Sequence, residues 1–112
     1  MEWTIKFHKN AKKFLRNLEE RKRNRILHRL KELRESLSKG VIPWKRLHIR
    51  KLRGEWEGYL RMRVGEIRII FEVDIRNKVL WIYHIHYREK VYQRNRNINN
   101  SSKHPIIEAK EF

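Results

Sequence analysis

The sequence predicts an α+β fold: an N-terminal strand, two helices, then an antiparallel sheet of three to four strands with the helices packed on one face. Three features carry this expectation. Apolar residues alternate on both sides of Gly65-Glu66, from Leu60 to Val64 and from Ile67 to Phe71. Leucine and isoleucine recur at helical spacing between residues 9 and 38. The chain of 112 residues is the right size for one domain with a single modest core.

Taken in order, Trp3, Ile5 and Phe7 alternate with polar neighbours, which predicts a strand. Ala11, Phe14, Leu15 and Leu18 form one stripe of a helix over residues 9–20. Ile26, Leu27, Leu30, Leu33 and Leu37 form the stripe of a second helix over 21–38, with a weakly marked break at Glu19-Glu20 to Arg21. Gly40 and Pro43 end the helical stretch. Leu47, Ile49 and Leu52 alternate loosely, consistent with a short strand near 47–53. Strands at 58–64, 67–74 and 79–86 follow. Val79 to Tyr83 is apolar throughout, the pattern of a strand covered on both faces. From Gln93 the chain turns polar and turn-prone, so residues 1–92 form the expected folded domain and 93–112 a flexible polar C-terminal tail.

The hairpin makes a specific geometric claim. With a two-residue loop at Gly65-Glu66, Val64 faces Ile67, Arg63 faces Arg68 and Arg61 faces Ile70. Leu60, Met62, Val64, Ile67, Ile69 and Phe71 then share one face, and Arg61, Arg63 and Arg68 share the other. Like charges directly opposite one another destabilise a sheet. An anion relieves that repulsion, and guanidinium groups match phosphate because they stay charged and donate in a planar fork. The arginine face is therefore a phosphate-binding candidate.

Charge points the same way. The chain carries 29 Lys plus Arg against 13 Asp plus Glu, a formal charge of +16. Residues 1–58 hold 18 basic and 7 acidic side chains, so most of the excess lies in the N-terminal half. Such a field attracts a polyanion: nucleic acid, an anionic membrane or an acidic protein. No uncharged apolar run is long enough to span a bilayer, and charges interrupt the N-terminus from Glu2 onward, so a cytoplasmic protein is expected. With no cysteine, disulfides, thiolate nucleophiles and Cys-ligated zinc are excluded.

Metal-dependent nuclease chemistry needs carboxylates gathered around an ion. Asp74 is the only aspartate, its nearest acidic neighbour is Glu72, and the His84/His86 pair has no further ligands in register. No metal or cofactor is expected. RNA can be cut without one, because the 2′-hydroxyl is an internal nucleophile beside the scissile phosphorus. The protein must then supply charge, plus an acid and a base. Arg61, Arg63 and Arg68 suit the first role and not the second, since arginine keeps its proton. His84, His86, Tyr87 and Tyr92 are the candidates for proton transfer. A three-residue loop at Ile75–Lys78 with Asn77 left-handed sets His86 opposite Arg68. A two-residue loop instead puts Trp81, Tyr83 and Ile85 on the arginine face, and both registers stay open.

The chain resembles the RelE/ParE toxin superfamily, closest to its RelE branch. The resemblance covers residues 2–92 and rests on element order and three stretches: Lys51-Leu52-Arg53-Gly54 leading into Gly58-Tyr59; Tyr59-Leu60-Arg61-Met62-Arg63-Val64-Gly65-Glu66-Ile67-Arg68-Ile69-Ile70-Phe71; and Tyr87-Arg88-Glu89-Lys90-Val91-Tyr92. It implies the toxin of a type II toxin–antitoxin system, a ribosome-dependent endoribonuclease that cuts messenger in the A site. It also implies an acidic RelB-like antitoxin as partner. The family's two strand lysines fall on Arg61 and Arg63, its strand arginine on Arg68, a second arginine on His86 and its terminal tyrosine on Tyr92. On that basis Arg68 stabilises the phosphorane, Arg61 and Arg63 clamp phosphate, His86 is a candidate acid or base, and Tyr92 orients the nucleotide. Lys51, Arg53 and Arg88 are the added substrate-binding candidates. Two other readings stand beside this one: a ParE-like inhibitor of DNA gyrase, and a basic nucleic-acid-binding module without enzymatic activity.

Overall fold

The computed structural model describes residues 2–87. Strand β1 (Thr4–Phe7) leads into helices α1 (Lys9–Arg16) and α2 (Glu20–Ser38), followed by β2 (Ile49–Lys51), β3 (Leu60–Val64), β4 (Ile67–Asp74) and β5 (Val79–Tyr87). The sheet has five strands in the order β1-β5-β4-β3-β2. Four of them pair antiparallel, as expected, and β1 adds to the β5 edge in parallel. The α+β class stands. The two helices carry the chain from β1 at one edge of the sheet to β2 at the other, and the antiparallel strands then lead back until β5 lies parallel to β1.

Both helices lie on one side of the sheet. Ala11 and Leu15 from α1, and Ile26, Leu30, Leu33 and Leu37 from α2, are buried against Met62, Val64, Ile67, Ile69, Phe71, Leu80, Ile82 and Ile85. The helix break falls earlier than the charge pattern indicated, at Asn17 to Glu19. Buried Leu18 turns inward there, and Arg23 Nη1 donates to the Leu18 carbonyl at 2.9 Å, bracing the link between the two helices from α2. His8 caps the start of α1 by accepting from the Asn10 amide at 3.1 Å. Leu27, placed on the core stripe by spacing, is instead exposed and lines a hollow with Phe7 and Leu15.

The β3–β4 register is the expected one: Val64 opposite Ile67, Arg63 opposite Arg68, Arg61 opposite Ile70. Gly65 sits at φ 63° as the first loop residue, which a two-residue turn with positive φ at that position demands. The next turn differs from both alternatives drawn from sequence. Its loop has four residues, 75–78, closed by Asp74 opposite Val79, and its left-handed residue is Lys78 (φ 55°), not Asn77.

Asn77 holds that loop by donating to Asp74, from its amide at 3.1 Å and from Nδ2 at 3.0 Å. These bonds, the side-chain one first, hold the Asp74 carboxyl below its ordinary value of 3.8, assisted by the Arg76 charge. A carboxyl lowered on folding contributes stability above its unfolded pKa, and that contribution is lost as pH falls through the folded value. Below about pH 4 the Asn77 amide is therefore expected to lose protection from hydrogen exchange ahead of β4 and β5. Simultaneous loss along the whole hairpin would refute this.

Candidate active site and nucleic-acid interface

The face of the sheet away from the helices carries two rows of charge. Because strand residues alternate, every second side chain of β2 to β5 projects from this side, and register decides which of them are neighbours. One row runs Arg50–Arg61–Ile70–His84 and the next Arg63–Arg68–His86, each name opposite the next across the sheet. Four arginines and two histidines thus come from four strands. Arg61 is only 9 % exposed, while Arg63, Arg68, His84 and His86 are half-buried.

His86 reaches its place opposite Arg68 by an unexpected route. β5 starts in the register of the even-numbered loop and shifts by one residue between Ile82 and His84, where Tyr83 is the surplus residue of a β-bulge. Both registers left open by the sequence are therefore realised in one strand. Trp81 lies opposite Glu72 in the first, and His84 and His86 lie opposite Ile70 and Arg68 in the second. Ile85 joins the helix-side core and not the arginine face.

The bulge also fills half of the outer face. Tyr59, Ile70 and Tyr83 form a second buried cluster, with Leu52, Trp56 and Trp81 packed against it. The face expected to be open is thus apolar and aromatic at one end and cationic at the other. Trp56, at the end of a short 3₁₀ turn (Gly54–Trp56), meets His84 edge-on at 5.9 Å, and His84 stacks on His86 at 6.0 Å. His8 approaches His84 from the β1 side at 6.2 Å.

Tyr83 donates its hydroxyl to Glu72 at 3.1 Å. Burial, then the Glu72 charge and hydrogen bond, push this phenol far above its ordinary value of 10.0. Tyr83 therefore keeps its proton throughout the working range and has no part as a base. Tyr83→Phe is expected to destabilise the fold by about 1.5–3 kcal/mol, the usual worth of a bond to a charged partner. A denaturant titration reads this, and an unchanged midpoint would mean that water replaces the bond.

Of the residues singled out from sequence, Arg61, Arg63, Arg68 and His86 come together. Lys51 and Arg53 stand to one side, lining a hollow of about 1040 Å³ with Trp44 and Tyr59 at the β2 edge. Arg88 and Tyr92 lie outside the described residues. Sequence reasoning missed Arg50, whose position opposite Arg61 needs the β2 register. It also missed Trp44, the only tryptophan in the irregular stretch before β2. Among the described residues no cluster of His, Asp or Glu is suited to hold a metal ion, and no helix is long and apolar enough to cross a membrane.

The molecule is thus an α+β domain with paired arginines and an imidazole on the sheet face opposite its helices. The family model described as the ParE toxin of the type II toxin–antitoxin system parDE matches residues 2–92. The Methanocaldococcus jannaschii protein RelE1 is 31% identical over 93 residues, covering 83% of this chain and 98% of that protein. Two crystal structures of RelE with RelB are similar. The archaeal complex from Pyrococcus horikoshii OT3 aligns at 27% identity and TM-score 0.64, covering 79% of this chain and 97% of that one. The Methanococcus jannaschii complex aligns at 25% and 0.61, covering 78% and 94%. The chain belongs to the RelE/ParE family and is a toxin of a type II toxin–antitoxin system.

Proposed function

We propose that this toxin is a ribosome-dependent endoribonuclease that cuts messenger in the A site by attack of the RNA 2′-hydroxyl. The observation that carries the reading is the row Arg63–Arg68–His86, which brings two permanent cations and one titratable ring together from three strands. Attack by the 2′-oxygen forms its bond to phosphorus as the bond to the 5′-oxygen breaks. The products are a 2′,3′-cyclic phosphate and a 5′-hydroxyl. Negative charge grows on the non-bridging oxygens, where Arg68, flanked by Arg63, is placed to meet it. Arg61 and Arg63 clamp the phosphate. His86 accepts the proton of the nucleophile or returns one to the leaving oxygen. Tyr92 orients the nucleotide, and Lys51, Arg53 and Arg88 hold the flanking strand. No metal or cofactor takes part.

The partner is an acidic RelB-like antitoxin, a reading supported by the relatives crystallised with RelB and by the +16 charge. The ribosome supplies the second polyanionic surface, gripped by the basic helices in a salt-sensitive contact. The cytoplasm is where both are met. Primer-extension mapping of messenger ends in a translating extract, with a ribosome-free control, tests the reading. Cuts within A-site codons that need ribosomes are expected.

A second reading is favoured by one observation, the match to a family model bearing the ParE name. A gyrase inhibitor needs no acid–base group beside its arginines. If folded, antitoxin-free protein leaves messenger intact and blocks gyrase supercoiling, that reading replaces the first.

A further inference from the structure

We infer that Trp44 is the stacking platform of a nucleobase subsite, holding one base of single-stranded RNA beside the arginine rows. This deepens the ribonuclease reading and rests on it for the identity of the strand.

Trp44 borders two hollows at the β2 edge. One is shared with Arg50, Arg61 and Arg63, the other with Lys51, Arg53 and Tyr59. An indole common to both is the natural bridge between phosphates held on either side. Trp44 is 40 % exposed, unlike Trp3 just before β1, which is buried. Lys51 Nζ lies 5.9 Å from its ring centroid, so an ammonium already stands against the indole face. When a base takes that place on the ring, the ammonium is within reach of the attached phosphate. Aromatic rings interleaved with cations are the recurrent design for binding single strands.

The platform is also preorganised. Trp44 accepts from the Ile49 amide at 2.8 Å and donates to the Ile42 carbonyl at 2.9 Å, and the Leu47 amide donates to Pro43 at 3.1 Å. Leu47 is buried in the core beneath it. His48, in the left-handed conformation at φ 55°, accepts from the Arg63 amide at 3.2 Å and so locks the loop to β3. Glu32 on α2 pairs with Arg46 at 3.6 Å from the other side. An exposed aromatic ring on a loop pinned at so many points loses little freedom when a base stacks on it.

The test is fluorescence anisotropy with a labelled 2′-O-methyl oligoribonucleotide of five to six bases, without ribosomes. The blocked 2′-oxygen prevents cleavage. Trp44→Ala is expected to weaken binding about five- to a hundredfold, and Trp44→Phe to recover most of it. The slope of affinity against salt should stay constant in Trp44→Ala and fall by about 0.7 in Lys51→Ala, since only the lysine meets phosphate. Wild-type affinity in Trp44→Ala overturns the inference, as does a loss that phenylalanine does not recover. So does preferential capture of an acidic peptide with no effect on the oligonucleotide, which would make Trp44 a protein contact. Because binding is read apart from cleavage, an inactive wild type would sink the ribonuclease reading while leaving this measurement interpretable.

Discussion

Arg68→Ala is expected to lower ribosome-dependent cleavage by about 10²–10³-fold, the cost of removing one donor from the site where transition-state charge develops. The same substitution should move stability by no more than about 1 kcal/mol. Two effects oppose each other there. The half-buried stem gives up packing, while the cross-strand repulsion with Arg63 is relieved. Primer extension reads the first quantity and a thermal melt the second. A variant that stays folded and still cuts would remove Arg68 from the chemistry and, with it, the central member of the proposed site. Arg68→Lys separates charge from geometry: it keeps the cation and loses the planar fork, so it should recover only part of the activity.

Phe71→Ala should do the reverse. Phe71 is fully buried in β4, opposite Leu60 on one side and Ile82 on the other, at the middle of the sheet. Truncation is expected to cost about 3–5 kcal/mol, from lost transfer energy plus the cavity left behind. That is a large share of the 5–15 kcal/mol typical of a whole domain, so a sharp drop in urea midpoint or insoluble expression should follow. Its neighbour Ile70 projects to the opposite face, into the cluster with Tyr59 and Tyr83. Phe71 variants that retain the wild-type midpoint would mean that the helix-side core is not what holds the sheet together.

The arginine hairpin was legible from sequence because three independent signals agree: a period of two on each side, a glycine at the turn, and a loop too short to permit another register. The two helices were legible for a similar reason, although the break between them shifted to where Leu18 could be buried. Arg50 was not legible. β2 has only three residues, and its register depends on the loop before it, locked through the His48 carbonyl, a contact that no local pattern encodes. Trp44 depends on the same loop. For His86 the sequence offered two alternatives that exclude each other in a regular strand, and the fold used one at each end of β5. The signal was present in the apolar spacing, where Leu80 and Ile82 keep step but Ile85 arrives one residue late.

That late arrival gives β5 slack in one direction only. If Tyr83 were deleted, Ile82 could stay opposite Phe71 and His84 opposite Ile70 in an unbroken ladder, with the imidazole of the proposed site where it stands now. If a residue were added between Ile82 and His84, the strand would carry two surplus residues where only one can be looped out cheaply. If one were added after His84, the following imidazole would turn toward the helices. The proposed site can therefore survive a shortened β5 far better than a lengthened one. Lineages that vary this strand in length are expected to do so by losing the bulge.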